Sequence, residues 1–123
     1  MNRKQFLQEL KTNTEKDMAT VKRKNQDYAN GDNPFQNFCT VEHLGIASVE
    51  NGILMRMADK MQRIANVINN GEAVVKDERV VDTLSDLRNY ANILQVWLEH
   101  GKKDEVKIEN TKKGIEKELD AKQ

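Results

Sequence analysis

Apolar residues recur along most of this chain with the period of an α-helix, and clusters of turn formers cut the pattern into segments. Phe6, Leu7, Leu10, Met18 and Val21 form a thin stripe that predicts a first helix over Arg3–Tyr28. Ala29-Asn30-Gly31-Asp32-Asn33-Pro34 is dense in turn formers, and a proline disfavours helix in the residue before it, so a loop is expected there. Phe35 and Phe38 follow, with a short helix expected over Val41–Ala47. Ser48-Val49-Glu50-Asn51 reads as the cap of a second long helix. Its core face is expected to be Leu54, Met57, Met61, Ile64, Ala65 and Ile68, and Asn69-Asn70-Gly71 supplies a stop. A third long helix is expected over Glu78–His100, with Val80, Leu84, Leu87, Ala91, Leu94 and Leu98 as its core face and Gly101 as its end.

The pattern predicts an all-α protein, a compact bundle of three long helices plus a short one. Residues 1–100 form the helical domain, and residues 101–123 form a charged C-terminal tail or assembly helix. Beyond Gly101 apolar residues thin out to Val106, Ile108, Ile115 and Leu119. A solvated tail and a short assembly helix both fit that spacing, and the core fold is expected not to need either.

The third helix carries a second face. Opposite Leu84, Leu87, Ala91 and Leu94 lie Asp82, Asp86 and Asn89, then Ile93 and Val96. From Tyr90 to Leu98 the helix is therefore apolar almost all round and requires burial on two sides. A second copy of the chain is the simplest cover, so a homo-oligomer joined through Ile93, Val96 and Trp97 is expected. The other reading has the first helix or the tail cover this face.

Composition narrows the function. Charged residues make up 33% of the chain but balance at 20 basic and 20 acidic, which argues against binding of bulk DNA or RNA and leaves room for one small nucleotide. The single cysteine, Cys39, rules out an intramolecular disulfide and a cysteine-rich zinc site. No apolar run reaches membrane-spanning length, and polar residues interrupt the N-terminus where a signal peptide would be apolar, so no membrane partner and a cytoplasmic location are expected.

Two polar rows stand out. Arg56, Lys60 and Arg63 form a basic ridge on the second helix, with Asp59 on its shoulder; Glu78, Asp82 and Asp86 form an acidic row on the third. Each row has a bland reading as a solvated face. The acidic row runs into the second apolar face, however, and a charge at such a rim is desolvated enough to be selective for a ligand.

Lys24-Asn25-Gln26-Asp27-Tyr28, Asn33-Pro34-Phe35-Gln36-Asn37-Phe38, Arg56-Met57-Ala58-Asp59-Lys60-Met61-Gln62-Arg63-Ile64, and Asp77-Glu78 with Asp82-Thr83-Leu84-Ser85-Asp86-Leu87-Arg88-Asn89-Tyr90-Ala91 together resemble the nucleotide modification associated domain 1 family. These are small all-helical proteins of phages and prophages, and the resemblance covers roughly Lys22 to Glu99. It implies a nucleotide-handling role for the helical domain. The pattern is more distantly similar to MazG-type all-α nucleotide pyrophosphohydrolases, which hold magnesium on paired acidic helices. Here the helix that should carry paired glutamates reads Arg56, Asp59, Lys60, Arg63, leaving Glu78, Asp82 and Asp86 as the metal ligands of that alternative.

A nucleotide presents a phosphate, a sugar and a flat base. Arg56, Lys60 and Arg63 suit the phosphate. Asn25, Asp27, Asn33, Asn37, Asp59, Asp82, Asp86 and Asn89 suit hydroxyls or base edges, and Tyr28, Phe35, Phe38 and Tyr90 suit stacking. Each of these aromatics taken singly also has a bland reading, the favoured one, as a core anchor for the loop. The expected function is nucleotide binding without turnover and without a cofactor, as in a phage sponge that sequesters a host immune signal of cyclic dinucleotide or cyclic ADP-ribose type. The alternative is a Mg2+-dependent hydrolase serving a nucleotide pool or DNA modification. No catalytic residue is assigned.

Overall fold

The first helix, α1 (Arg3–Tyr28), opens on a reciprocal cap. Asn2 Oδ1 accepts from the Gln5 amide at 2.8 Å, and Gln5 Oε1 accepts from the Asn2 amide at 2.9 Å, which satisfies donors that a helix start leaves orphaned. The computed structural model describes residues 1–28, 33–70, 79–101 and Leu119, and within them the fold is all-α. The expected C-terminal tail lies outside these residues apart from Leu119, as do most of the expected loop and Glu78.

Helix α2 spans Gln36–His43, earlier than the Val41–Ala47 expected. Asn33 and Pro34 start this helix, because Asn33 Oδ1 accepts from the Phe35 amide at 2.9 Å and the Asn33 carbonyl from Gln36. Proline suits such a start, since its fixed φ matches the first turn and its missing N–H is not needed there. The helix stops at Gly45, whose φ of 75° is open to glycine, with the Ile46 amide bonded back to Val41 and the Gly45 amide to Glu42.

Helix α3 (Val49–Asn69) begins at the expected cap. Ser48 Oγ accepts from the Asn51 amide at 3.1 Å, and Glu42 Oε2 accepts from the Val49 amide at 2.8 Å. Helix α4 (Arg79–Val96) ends in a π-helical turn, Trp97–Gly101. Trp97 joins the start of α3 through Glu50, while Lys60, further along α3, joins Asp86, earlier on α4. The two helices are therefore antiparallel. No helix among the described residues is long and apolar enough to cross a membrane.

The core lies between α3, α4 and α2. Val49, Ile53 and Trp97 are buried, with Phe35, Phe38, Cys39, Met57, Tyr90, Ile93 and Leu94 packed against them. This corrects the expected faces in part, since Met57 and Leu94 pack on the core as expected. Leu54, Met61 and Ile68 on α3 are 48%, 58% and 61% exposed, and Leu84 and Leu98 on α4 are exposed too. Both helices have two apolar stripes at helical spacing, and the stripe that matches a neighbour is the one buried. The Ile93, Val96 and Trp97 surface expected to join copies is likewise divided. Trp97 is in the protomer's own core, Ile93 packs against it, and Val96 faces out.

Helix α1 is attached by its second half. Phe6, Leu7, Leu10 and Met18 of its expected stripe are exposed, and among its described side chains the buried one is Asp17.

Candidate functional site

The C-terminal half of α1, the start of α2, the middle of α3 and the middle of α4 surround a cleft of about 400 Å³. That size suits a small organic ligand. It brings together Asn25 from α1, Asn37 and Phe38 from α2, Arg56 from α3, and Asp86, Asn89 and Tyr90 from α4, all of them singled out in the sequence.

Each wall brings a different chemistry. Phe38 and Tyr90 form the aromatic part, their rings meeting edge to face with centroids 6.4 Å apart. Arg56 is exposed and has no ion-pair partner among the described residues. Asp86 is paired with Lys24 at 3.1 Å and Lys60 at 3.5 Å. Asn25 donates from Nδ2 to the Pro34 carbonyl at 3.2 Å, tying the end of α1 to the segment that starts α2.

Asn89 is 7% exposed and lines the cleft. Its amide makes no hydrogen bond to the described residues, yet no side-chain polar atom among them is both fully buried and unsatisfied. The amide therefore keeps its access to the cleft, where a ligand with one donor and one acceptor can use it.

The other expected residues are placed differently. Lys60 stands behind the cleft on Asp86. Phe35 packs edge-on against Trp97 with centroids 5.1 Å apart, a core anchor and not a stacking platform. Asn33 builds the α2 start and directs Nδ2 toward Cys39 Sγ at 3.8 Å. Asp59, Arg63 and Asp82 are exposed and do not line the cleft. The side chains of Asp27 and Tyr28 fall outside the described residues, as does Glu78. Among the described residues no three His, Cys, Asp or Glu side chains gather closely enough to share a metal ion.

Lys24, Gln36, Pro34, Val21 and Ile93 also line the cleft and were not singled out as binding residues. Lys24 adjoins Asn25, and only the docking of α1 on α4 shows that it reaches Asp86. Asp17 is the larger omission. Its carboxylate accepts from Arg88 Nε at 2.6 Å and Arg88 Nη2 at 3.1 Å, and from Ser85 Oγ at 2.5 Å. The hydrogen bond from Arg88 holds Asp17 below the ordinary carboxylate range, opposed by burial and assisted by Ser85 and by the charge of Arg88; the same bond raises Arg88. The signal was present in the sequence, because Asp17 falls seven residues after Leu10 and four before Val21, where the stripe calls for an apolar residue.

No protein-family model matches this chain, and no curated protein or solved structure is significantly similar to it.

Proposed function

We propose that this protein binds a small phosphorylated nucleotide without turning it over, as a phage-type sponge for a host immune signal of cyclic dinucleotide or cyclic ADP-ribose type. The observation that carries this reading is the makeup of one cleft. It offers Arg56 and Lys24 for a phosphate, Phe38 and Tyr90 for a base, and Asn25, Asn37 and Asn89 for polar edges. Stacking of a base on an aromatic contributes about 1–3 kcal/mol, and a charged hydrogen bond a similar amount, so the combination is enough for useful affinity.

Binding is favoured over magnesium-dependent hydrolysis by the partners of Asp86. Among the described residues it is the one acidic residue that lines the cleft, and its two oxygens each face a lysine. A metal would have to displace both ammonium groups to use it.

The protein acts in this reading as a homo-oligomer. Among the described residues three apolar side chains are buried, whereas Phe6, Leu7, Leu10, Leu54, Met61 and Ile68 are among many large ones left exposed. Surfaces of that extent are a mark of association.

The test is incubation with a panel of linear and cyclic nucleotides, with and without Mg2+, read by thermal shift and by mass spectrometry. A stabilising ligand recovered intact supports the sponge. Release of pyrophosphate or a cleaved product supports the hydrolase.

A further inference from the structure

Asp86 is an anion placed among the cations that a phosphate would use. Its Oδ1 is 3.1 Å from Lys24 Nζ and its Oδ2 is 3.5 Å from Lys60 Nζ. The two lysines differ in what holds them. The side chain of Lys60 is 17% exposed, so its ammonium needs a counter-charge and keeps Asp86 in position. The side chain of Lys24 is 50% exposed, and a half-solvated ammonium on a flexible stem exchanges partners readily. Lys24 and Arg56 line the same cleft, and among the described residues Arg56 has no carboxylate to give up.

We infer that Asp86 is a built-in competitor for the phosphate subsite: a ligand phosphate draws Lys24 away from Asp86 and completes its binding with Arg56, while Lys60 stays on the carboxylate. The identity of the physiological ligand rests on the nucleotide reading above; the exchange of partners requires only a phosphate-bearing anion. A phosphate carries more acceptor oxygens than a carboxylate, so it can hold Lys24 and Arg56 together. Part of what Lys24 contributes is offset by the pair it leaves, and the Asp86 charge repels the incoming anion.

The consequence runs against the usual effect of removing a polar residue from a binding site. Asp86→Asn should tighten phosphate binding, because it frees Lys24 and removes the like charge. Lys24→Met should weaken it less than Arg56→Ala does. In the Asp86→Asn background the cost of Lys24→Met should grow, because there Lys24 no longer has the Asp86 carboxylate to return to.

The experiment is calorimetric titration of the full chain and these variants with inorganic pyrophosphate and, separately, with ADP, each variant first checked for a cooperative melt. The expected result is pyrophosphate binding on the order of tenfold tighter in Asp86→Asn, with a steeper salt dependence. Unchanged or weaker pyrophosphate binding in a folded Asp86→Asn variant overturns the inference. If that variant does not fold, the comparison of Lys24→Met with Arg56→Ala decides, and a loss for Lys24→Met equal to or above that for Arg56→Ala overturns it. ADP binding no tighter than pyrophosphate in the wild type would count against the nucleotide reading and leave the Asp86 result standing.

Discussion

Arg88 grips the carboxylate of Asp17 through two nitrogens, Nε at 2.6 Å and Nη2 at 3.1 Å, and so fastens the first long helix to the last across 71 positions of sequence. This two-pronged geometry is the strong form of a charge-assisted pair. Together with Lys24 on Asp86, it fixes the α1 wall of the cleft.

Asp17→Ala should therefore loosen α1. Asp17 is buried but Arg88 is 42% exposed, so solvent takes up part of the loss. The expected cost is about 1–3 kcal/mol, read as a lower denaturation midpoint together with faster amide exchange in Lys16–Asn25. Unchanged exchange there would show that α1 docks by other means.

The same pair sets a pH dependence. Asp17 is held below its ordinary value of 3.8, so its contribution is fully present above that value and is lost as pH falls below it through the depressed folded-state value. Acid unfolding should include a step in this window that Asp17→Asn removes. Melting temperatures of the two proteins should converge as pH drops, and a difference that persists at the lowest pH would contradict the assignment.

Trp97 and Gly101 make a second test, this time of the core. A Cβ on Gly101 would stand 2.3 Å from Cε3 of the Trp97 ring, which in turn donates from Nε1 to Glu50 Oε1 at 2.6 Å. Gly101→Ala should push the indole off Glu50 and Phe35. A loss of about 1–3 kcal/mol is expected, in the range of overpacking, with a change in tryptophan fluorescence. A fully native emission spectrum would mean the π-turn adjusts instead.

In the cleft, Arg56→Ala should weaken binding of any stabilising nucleotide by about 1.5–3 kcal/mol. Arg63→Ala, two ridge positions further and off the cleft, should leave it within error. Equal effects from the two would favour a diffuse basic surface over a defined phosphate subsite.

The exposed stripe of α3 predicts an assembly larger than the 14.2 kDa chain in light scattering at micromolar concentration. Met61→Glu, at a position 58% exposed in the protomer, should dissociate it while sparing the fold, since burying that charge at a contact costs several kcal/mol. A monomeric wild type ends the idea.

Much of the architecture could be read along the chain. The limits of α1, α3 and α4 follow from local causes: helical spacing of apolar residues, the Ser48 cap and the turn formers at either end. Even Phe38, Arg56, Asp86, Asn89 and Tyr90 could be picked out as one group, because their residue types match what a nucleotide offers. The short helix α2 was misplaced at both ends, its start by five residues and its end by four, because Asn33-Pro34 can close a loop or open a helix.

Which apolar stripe faces inward was not decided locally. On α3, Leu54, Met61 and Ile68 compete with Val49 and Ile53, and both sets satisfy the helical period, while Met57 of the expected face does pack on the core. On α4, Trp97 and Ile93 compete with Leu84 and Leu98 in the same way. Periodicity measures the width of an apolar face but carries no information about which neighbour meets it. The choice was made by long-range partners: Trp97 with Glu50 and Phe35, Lys60 with Asp86, and Arg88 with Asp17. Sequence by itself determined the helices and the chemical kinds of residue available to a ligand. Only the tertiary structure decided that Asp86 would spend its charge on two lysines and that Arg56 would keep its own, because ion pairing depends on distances between helices that no local pattern encodes.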